Sequence, residues 1–164
     1  MVPATMRYLA LDIGDKRTGL AVGDDSTGLV SPIGFIAADM KAAAGDGKKN
    51  EREVPNTLLV AVRQAVEEHA PAALVVGLPL NMDGSQGPRA KMVAQLAERI
   101  ADAVSLPVHL HDERLSTFEA DQRMSRSGLT HKQKKERRDA LAAMAILEDY
   151  LRVRAQGQDR AGEP

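Results

Sequence analysis

A chain of 164 residues is the usual size of a single domain, and its 43% apolar residues suffice for a packed core, which excludes general disorder. The absence of cysteine excludes disulfides and thiolate metal sites and fits a reducing compartment. The formal net charge of −1 excludes a protein that is basic overall, so any contact with a polyanion must come from local patches.

The sequence also predicts a soluble, cytoplasmic protein. No apolar run approaches the roughly 18 residues that a membrane span requires. Residues 1–5 contain no charged region followed by an apolar stretch, so no secretory signal is predicted. We expect one folded domain over residues 1–164, with flexible ends at 1–5 and about 155–164.

The first part of the chain predicts an antiparallel meander of three strands. Apolar runs cover residues 6–12, 18–22 and 29–36, and short turns rich in glycine and aspartate separate them. Residues 37–53 are polar and show no periodicity, so they are predicted to form a loop.

The rest of the chain alternates between helical and strand patterns. Helices are predicted from about 55 to 69 and over 89–104, 116–127 and 135–152, and strands over 73–78 and 107–111. The apolar run 73–78 has the form of a strand that is buried on both faces. The order β-β-β-α-β-α-β-α-α predicts an α/β fold with a five-stranded mixed sheet flanked by helices.

Asp12 is the first candidate for a functional acid, because it ends an apolar strand. An ionised carboxylate buried there without partners would cost several kcal/mol, so it needs a cation or hydrogen-bond donors. The alternative is a turn-capping aspartate that accepts hydrogen bonds from the amides of Gly14 or Asp15.

Asp112 and Glu113 directly follow the predicted strand 107–111. Strand ends near a topological switch are the usual positions for chemistry in α/β sheets. Side chains alternate between the two faces of a strand, so only one of these two acids is expected to point inward. The alternative is that both are exposed residues leading into the next helix.

Asp139 is the third candidate, and it lies on the apolar face of the last predicted helix. It shares one stripe with Ala143, Ile146, Leu147 and Tyr150, which should face the sheet. An acid in a first turn is also favoured by the helix dipole, by roughly 0.3–1 kcal/mol, but the dipole does not explain an acid in line with the core.

Three gathered carboxylates repel one another and raise each other's pKa, and a divalent cation removes that penalty. Oxygen ligands without cysteine or a clear histidine pair favour Mg²⁺ or Mn²⁺ over zinc. Two such ions roughly 4 Å apart could activate a water and stabilise the leaving oxygen of a phosphodiester.

Four segments of the chain resemble the YqgF/RuvX family, whose members are provisionally described as pre-16S rRNA nucleases or as Holliday-junction-resolvase-like proteins. The segments are LALDIGDKRTGLAVGD (9–24), VVGLPLNMDGS (75–85), LHDERLST (110–117) and DALAAMAILEDYL (139–151). The resemblance covers roughly residues 7–151. It implies the ribonuclease H-like fold for the single domain, and it implies Asp12, Glu113 and Asp139 as the catalytic, metal-binding acids.

The resemblance also gives a setting for several charged and polar residues. Asp15 stands where many members carry threonine, and this extra acid could weaken phosphate approach or add an outer-shell ligand. The candidate substrate contacts are Lys16, Arg17, Asn81, Asp83, Arg114, Lys134, Lys135 and Arg138. Surface charge also explains the basic members, and an ordinary Asp-Gly turn explains the loop that contains Asn81 and Asp83 equally well.

The function implied is a nuclease that trims the 5′ end of precursor 16S ribosomal RNA, acting as a monomer or homodimer on nucleic acid and not on membranes. One alternative is a resolvase of branched DNA, for which a dimer would supply two symmetric cuts. A second is a non-catalytic nucleic-acid-binding module on the same fold. A third is an actin-like ATPase, although that architecture binds ATP between two such domains and this chain has the length of one.

Overall fold

The computed structural model describes residues 4–40, 56–114, 128 and 130–161, without the side chains of residues 135, 136 and 158–161. The strands are β1 (Arg7–Ile13), β2 (Arg17–Asp24), β3 (Val30–Ala37), β4 (Ala73–Leu78) and β5 (Val108–Asp112), and the helices are α1 (Asn56–His69), α2 (Pro88–Val104) and α3 (His131–Ala161). The predicted helix over 116–127 and most of the predicted loop over 37–53 lie outside these residues. Within the described ranges, no helix combines the length and apolar character needed to cross a membrane.

The five strands form one mixed sheet in the order β3-β2-β1-β4-β5. The pairs β1–β2 and β2–β3 are antiparallel, whereas β1–β4 and β4–β5 are parallel. The predicted meander and mixed sheet are therefore confirmed. Because β1, β4 and β5 run in the same direction, their carboxyl ends meet at one edge of the sheet.

The two faces of the sheet carry two separate cores. Leu9 and Leu11 of β1 pack with the buried faces of α1 and α2, whereas Tyr8 and Ala10 pack against α3. Successive side chains of a strand point to opposite faces. Asp12 therefore belongs to the face that α3 covers.

Gly19 of β2 allows α3 to lie close to the sheet. It pairs with Asp12 across the β1–β2 ladder, and a Cβ built on it would overlap the backbone carbonyl of Asp139. The inner side of α3 carries the small, fully buried Ala143. The close approach of backbone to backbone brings Asp139 to the end of β1.

The last helix is longer than the sequence analysis predicts, since it begins at His131 rather than 135 and ends at Ala161 rather than 152. At its start, the Thr130 hydroxyl accepts a hydrogen bond from the Gln133 amide, and the Gln133 side chain accepts one from the Thr130 amide. This is a capping box of the T-x-x-Q type, which fixes the first turn. At its end, helix-forming residues continue beyond the apolar stripe, so the end of the stripe at Leu151 does not end the helix.

We expect Gly19→Ala to lower the free energy of unfolding by roughly 1–3 kcal/mol, because overpacking must push α3 away from β2. Gly157→Ala is the matched control, since Gly157 is exposed on α3 and nothing lies within 4 Å of an added Cβ. The control should gain roughly 0.5–1 kcal/mol from the better helix propensity of alanine. Urea unfolding measures both variants, and a Gly19→Ala protein as stable as the control would contradict the close approach.

Candidate active site

Glu113 is the acid after β5 that points toward Asp12. Its backbone amide donates to the carbonyl of Leu78 at 3.3 Å, which extends the β4–β5 pairing by one residue. A Cβ built on Gly77 would overlap the Glu113 carboxylate, so the missing side chain at Gly77 leaves the space that this carboxylate occupies over β4. The side-chain carboxyl groups of Glu113 and Asp12 share a hydrogen bond.

Asp112, the neighbour of Glu113, has a different role. Its carboxylate accepts hydrogen bonds from the Arg114 side chain, with 2.7 Å between Nη2 and Oδ2. These hydrogen bonds lower the pKa of Asp112. Asp112 is thus occupied by its own ion pair, which leaves Glu113 as the acid that contacts Asp12.

Asp139 lies at the same edge of the sheet, on the first half of α3. Its Oδ2 atom is 3.9 Å from Nη1 of Arg17, a half-buried residue at the start of β2. It is close enough to Asp12 for its charge to raise the pKa of that residue. Three acids from three distant segments of the chain therefore share one edge.

Burial is the main cause of the unusual protonation of these acids. It raises the pKa of Asp12, and the charge of Asp139 raises it further. Burial and the charge of Asp12 raise the pKa of Glu113 to about 8. Burial also raises the pKa of Asp139, although Arg17 and Arg138 oppose that shift. All three acids are therefore harder to ionise than carboxyl groups in water.

The side chains fit a hard divalent cation in their chemistry, since the Asp12 and Glu113 pair offers only oxygen atoms and is electrostatically strained. Among the residues that the structure describes, however, no group of three histidine or acidic side chains is arranged to hold a metal ion. Asp12 and Glu113 are in contact, whereas Asp139 faces Arg17. The structure thus presents a pair of candidate ligands and a third acid nearby.

Arg89 is a site residue that the sequence analysis missed. Its Nη1 atom is 2.9 Å from Oδ1 of Asp15, and Nη2 donates to the carbonyl of Ile13 at 3.3 Å. Its charge also opposes the raised pKa values of Asp12 and Glu113. Asp15, the extra acid of this chain, is therefore compensated by an arginine. The available signal was the position of Arg89 at the start of α2, directly after the loop that follows β4.

The loop after β4 holds Asn81 and Asp83 in contacts of its own. The Asp83 carboxylate accepts from the amide of Ser85 at 2.9 Å and from its hydroxyl, and these hydrogen bonds lower the pKa of Asp83. Asn81 donates to the Ser85 hydroxyl at 3.0 Å. Arg114 joins this loop to β5 by donating to the carbonyl of Met82 at 3.1 Å. These contacts give both loop residues a role in the turn.

A cleft opens beside this loop, at the end of β5. It has a volume of about 400 Å³ and is lined by Met82, His111, Asp112, Arg114, Asp149 and Val153. His111 Nε2 lies 2.6 Å from Oδ2 of Asp149 on its floor. The sequence analysis did not single out this pair, because its partners are far apart in the chain and belong to no shared motif.

The remaining basic candidates lie around the acids on two elements. Lys16 is exposed in the turn between β1 and β2. Lys134 is half-buried and Arg138 is exposed, both in the first turns of α3. The side chain of Lys135 lies outside the described residues. The start of α3 therefore brings basic side chains to the same edge as Asp139.

The chain is similar to known proteins over most of its length. The model of the RuvX family, described as Holliday junction resolvase, matches residues 6–153. A protein of Anaeromyxobacter sp. (strain Fw109-5), provisionally named pre-16S rRNA nuclease, is 39% identical over 146 residues, which cover 89% of this chain and 96% of that protein. A relative from Chloroflexus aurantiacus with the same provisional name is 34% identical over 155 residues, which cover 94% of this chain and 92% of the relative.

Among solved structures, Thermus thermophilus RuvC in complex with a Holliday junction substrate matches with a TM-score of 0.54 and 15% identity. The match covers 92% of this chain and 96% of that one. Likeness at this level of identity concerns the fold alone. It confirms the ribonuclease H-like fold that the sequence analysis predicts.

Without added metal, we expect the free energy of unfolding to fall as the pH rises from 4.5, the ordinary glutamate value, toward about 8. Between these two pH values Glu113 holds a proton in the folded state but not in the unfolded state. The stabilisation that comes from this proton is lost as the pH rises and the folded protein releases it. Glu113→Gln should remove much of this slope, a difference on the order of 2 kcal/mol.

Glu98→Gln is the control for this measurement, because Glu98 is exposed on α2. Urea unfolding at a series of pH values in the presence of a chelator gives the slopes. If Glu113→Gln and Glu98→Gln both kept the slope of the unaltered protein, Glu113 would not be the proton-binding group.

Proposed function

This chain belongs to the RuvX family, and on that premise we propose that it is a divalent-metal-dependent nuclease that trims the 5′ end of precursor 16S ribosomal RNA. The observation that carries the proposal is the contact of Asp12 with Glu113, with Asp139 at the same edge of the sheet. These acids come from three segments that lie within the family match over residues 6–153. The provisional names of the two relatives support RNA as the substrate.

In this proposal Asp12, Glu113 and Asp139 hold Mg²⁺ or Mn²⁺. The all-oxygen donor set and the mutual repulsion of the acids support such an ion, because a cation removes the cost of holding them together. When bound, the ion supplies the Lewis acidity that activates a water and stabilises the leaving oxygen of a phosphodiester.

The residues of the chain then bind and orient the substrate. Arg17 lies between Asp139 and the outer strand β3. It would donate hydrogen bonds to a phosphate that approaches the acids. Further phosphate contacts along the RNA strand would come from Lys16, Lys134, Lys135 and Arg138. Such contacts position the RNA without reading its sequence. Arg89 would keep Asp15 from repelling the phosphate by holding it in an ion pair. This role would place the protein in the cytoplasm.

A second candidate is a resolvase that acts on branched DNA, which the description of the family model supports. Both candidates use the same acids, so the substrate distinguishes them. A homodimer would favour the resolvase, because two symmetric cuts require two sites. A non-catalytic nucleic-acid-binding module is the third possibility, and the presence of all three acids speaks against it.

We expect Asp12→Asn, Glu113→Gln and Asp139→Asn each to lower the rate of RNA cleavage at least ~100-fold, because each removes an acid that the metal needs. Folding should be kept or slightly improved, since a repelling charge is removed. The measurement is cleavage of a labelled precursor RNA with Mg²⁺ and with Mn²⁺. Asp102→Asn, an exposed acid on α2, is the control and should cut normally.

Binding of Mn²⁺ gives an independent readout of the same acids. It should raise the melting temperature of the unaltered and Asp102→Asn proteins, and it should do so less for Asp12→Asn. A variant with turnover near normal would remove that residue from the catalytic set. A protein that cuts no nucleic acid with either metal would be the binding module.

We expect the protein to cut precursor RNA that carries the 5′ boundary of 16S rRNA faster than a four-way DNA junction at equal concentration. The reason is that the relatives are named for an RNA substrate, whereas the likeness to RuvC concerns the fold alone. Both substrates are tested in one buffer with the same metal, and Asp12→Asn serves as the blank. Faster, paired and symmetric cutting of the junction would establish the resolvase instead.

A further inference from the structure

We propose that Phe35 is a stacking platform for a nucleobase of the RNA strand that enters the candidate active site, with Arg17 joining the platform to the acids. This inference rests on the proposed function and deepens it. It concerns how a single-stranded part of the substrate is held next to the cutting position.

Phe35 differs from the tyrosine side chains that the structure describes. The chain has two phenylalanines, two tyrosines and no tryptophan. Tyr8 is buried in the core under α3, and Tyr150 packs against it with 5.4 Å between ring centroids. Phe35, in contrast, is 41% exposed on the outer strand of the sheet. An exposed ring beside a candidate nucleic-acid site is available for stacking, which is the usual role of aromatic residues in binding single strands.

The sheet register places Phe35 in one row with Asp12. Asp12 pairs with Gly19 on β2, and Gly19 pairs with Phe35 on β3. Paired residues of neighbouring strands point to the same face, so Phe35 is on the α3 side of the sheet with the acids. At the usual spacing of strands, two strand separations amount to roughly 10 Å. The α3 backbone at Asp139 lies over Gly19, so Asp12 and Phe35 lie on either side of this part of the helix.

The positively charged side chain of Arg17 lies near both the Phe35 ring and Asp139. The Arg17 guanidinium carbon lies 5.5 Å from the centroid of the Phe35 ring, and Arg17 Nη1 lies 3.9 Å from Asp139. An arginine that covers an aromatic ring can donate to a phosphate while the ring contacts the adjoining base. The basic start of α3 is nearby, because α3 packs against β3 as well as β2. The surface therefore combines stacking with positive charge, as single-stranded nucleic acid requires.

The competing explanation is that Phe35 only supports Arg17 by packing. A platform requires a flat aromatic ring, whereas packing requires only an apolar side chain of similar size. Phe35→Leu therefore separates the two explanations, and Phe35→Tyr should restore a platform. Because Phe35 is partly exposed, thermal melting can verify that each variant is folded before its function is compared.

The first test uses F35W, which introduces the single tryptophan of the chain. The F35W protein is titrated with a single-stranded RNA oligonucleotide in a chelator, so that binding is measured without cutting. L29W is the matched control, since Leu29 is 73% exposed just before β3, at the end of that strand that lies away from the acids. We expect saturable quenching of tryptophan fluorescence in F35W that is at least threefold larger than in L29W.

The second test compares affinity and cleavage. Phe35→Leu should weaken RNA binding roughly tenfold, within the roughly 5- to 150-fold range that corresponds to one stacked base. It should raise KM with little change in kcat, and Phe35→Tyr should bind within about twofold of the unaltered protein. A loss in kcat alone would indicate that Phe35 acts by positioning Arg17, and it would overturn the platform.

The outcomes also separate this inference from the proposed function. Equal quenching in F35W and L29W, or Phe35→Leu binding as tightly as Phe35→Tyr, would overturn the platform even if the protein cuts RNA. Quenching in F35W by a protein that cuts no RNA would support the platform and contradict the nuclease. Quenching by the matching DNA oligonucleotide alone would overturn the assignment to RNA.

Discussion

The repulsion between Asp12 and Glu113 is the interaction on which the rest of the site depends. Two carboxyl groups in contact, largely removed from water, cannot both be ionised without a cation. Burial raises the pKa of both residues, and the charge of Asp12 raises the pKa of Glu113 further. Positive charge near the pair partly offsets this cost, because the charge of Arg89 on α2 favours the ionised form of Glu113. The packing of the sheet and helices keeps the acids together against their own electrostatics, which is the state that a bound cation would stabilise most.

Two glycines make that arrangement possible. Gly19 lets the backbone of α3 rest on β2, and Gly77 leaves the space in which the Glu113 carboxylate lies over β4. Both belong to strands whose other residues are largely buried and apolar. The acids are therefore held by the regular part of the fold, where side chains have little freedom, and this suits a site whose chemistry requires fixed distances.

Much of the fold follows from the sequence because the patterns are strong there. The all-apolar β4 and the helical stripe that includes Asp139 predicted their burial and orientation correctly. The choice between Asp112 and Glu113 did not follow from the pattern, because it depends on which face each side chain of the strand presents. The packing of Val108 against the α1 and α2 core shows that face. Arg89 and the row from Asp12 to Phe35 depend on contacts between distant segments, which local periodicity cannot reveal.

The order of the elements along the chain has a consequence for synthesis on the ribosome. Among the described elements, α3 alone covers one whole face of the sheet, and it follows every strand in the chain. A growing polypeptide that ends before α3 leaves Tyr8, Ala10 and Val75 exposed to water and has no Asp139 to bring to β1. If the enzyme acts as proposed, its active site is complete only after α3 has left the ribosome, so a nascent chain without a folded α3 cannot cleave the ribosomal RNA around it.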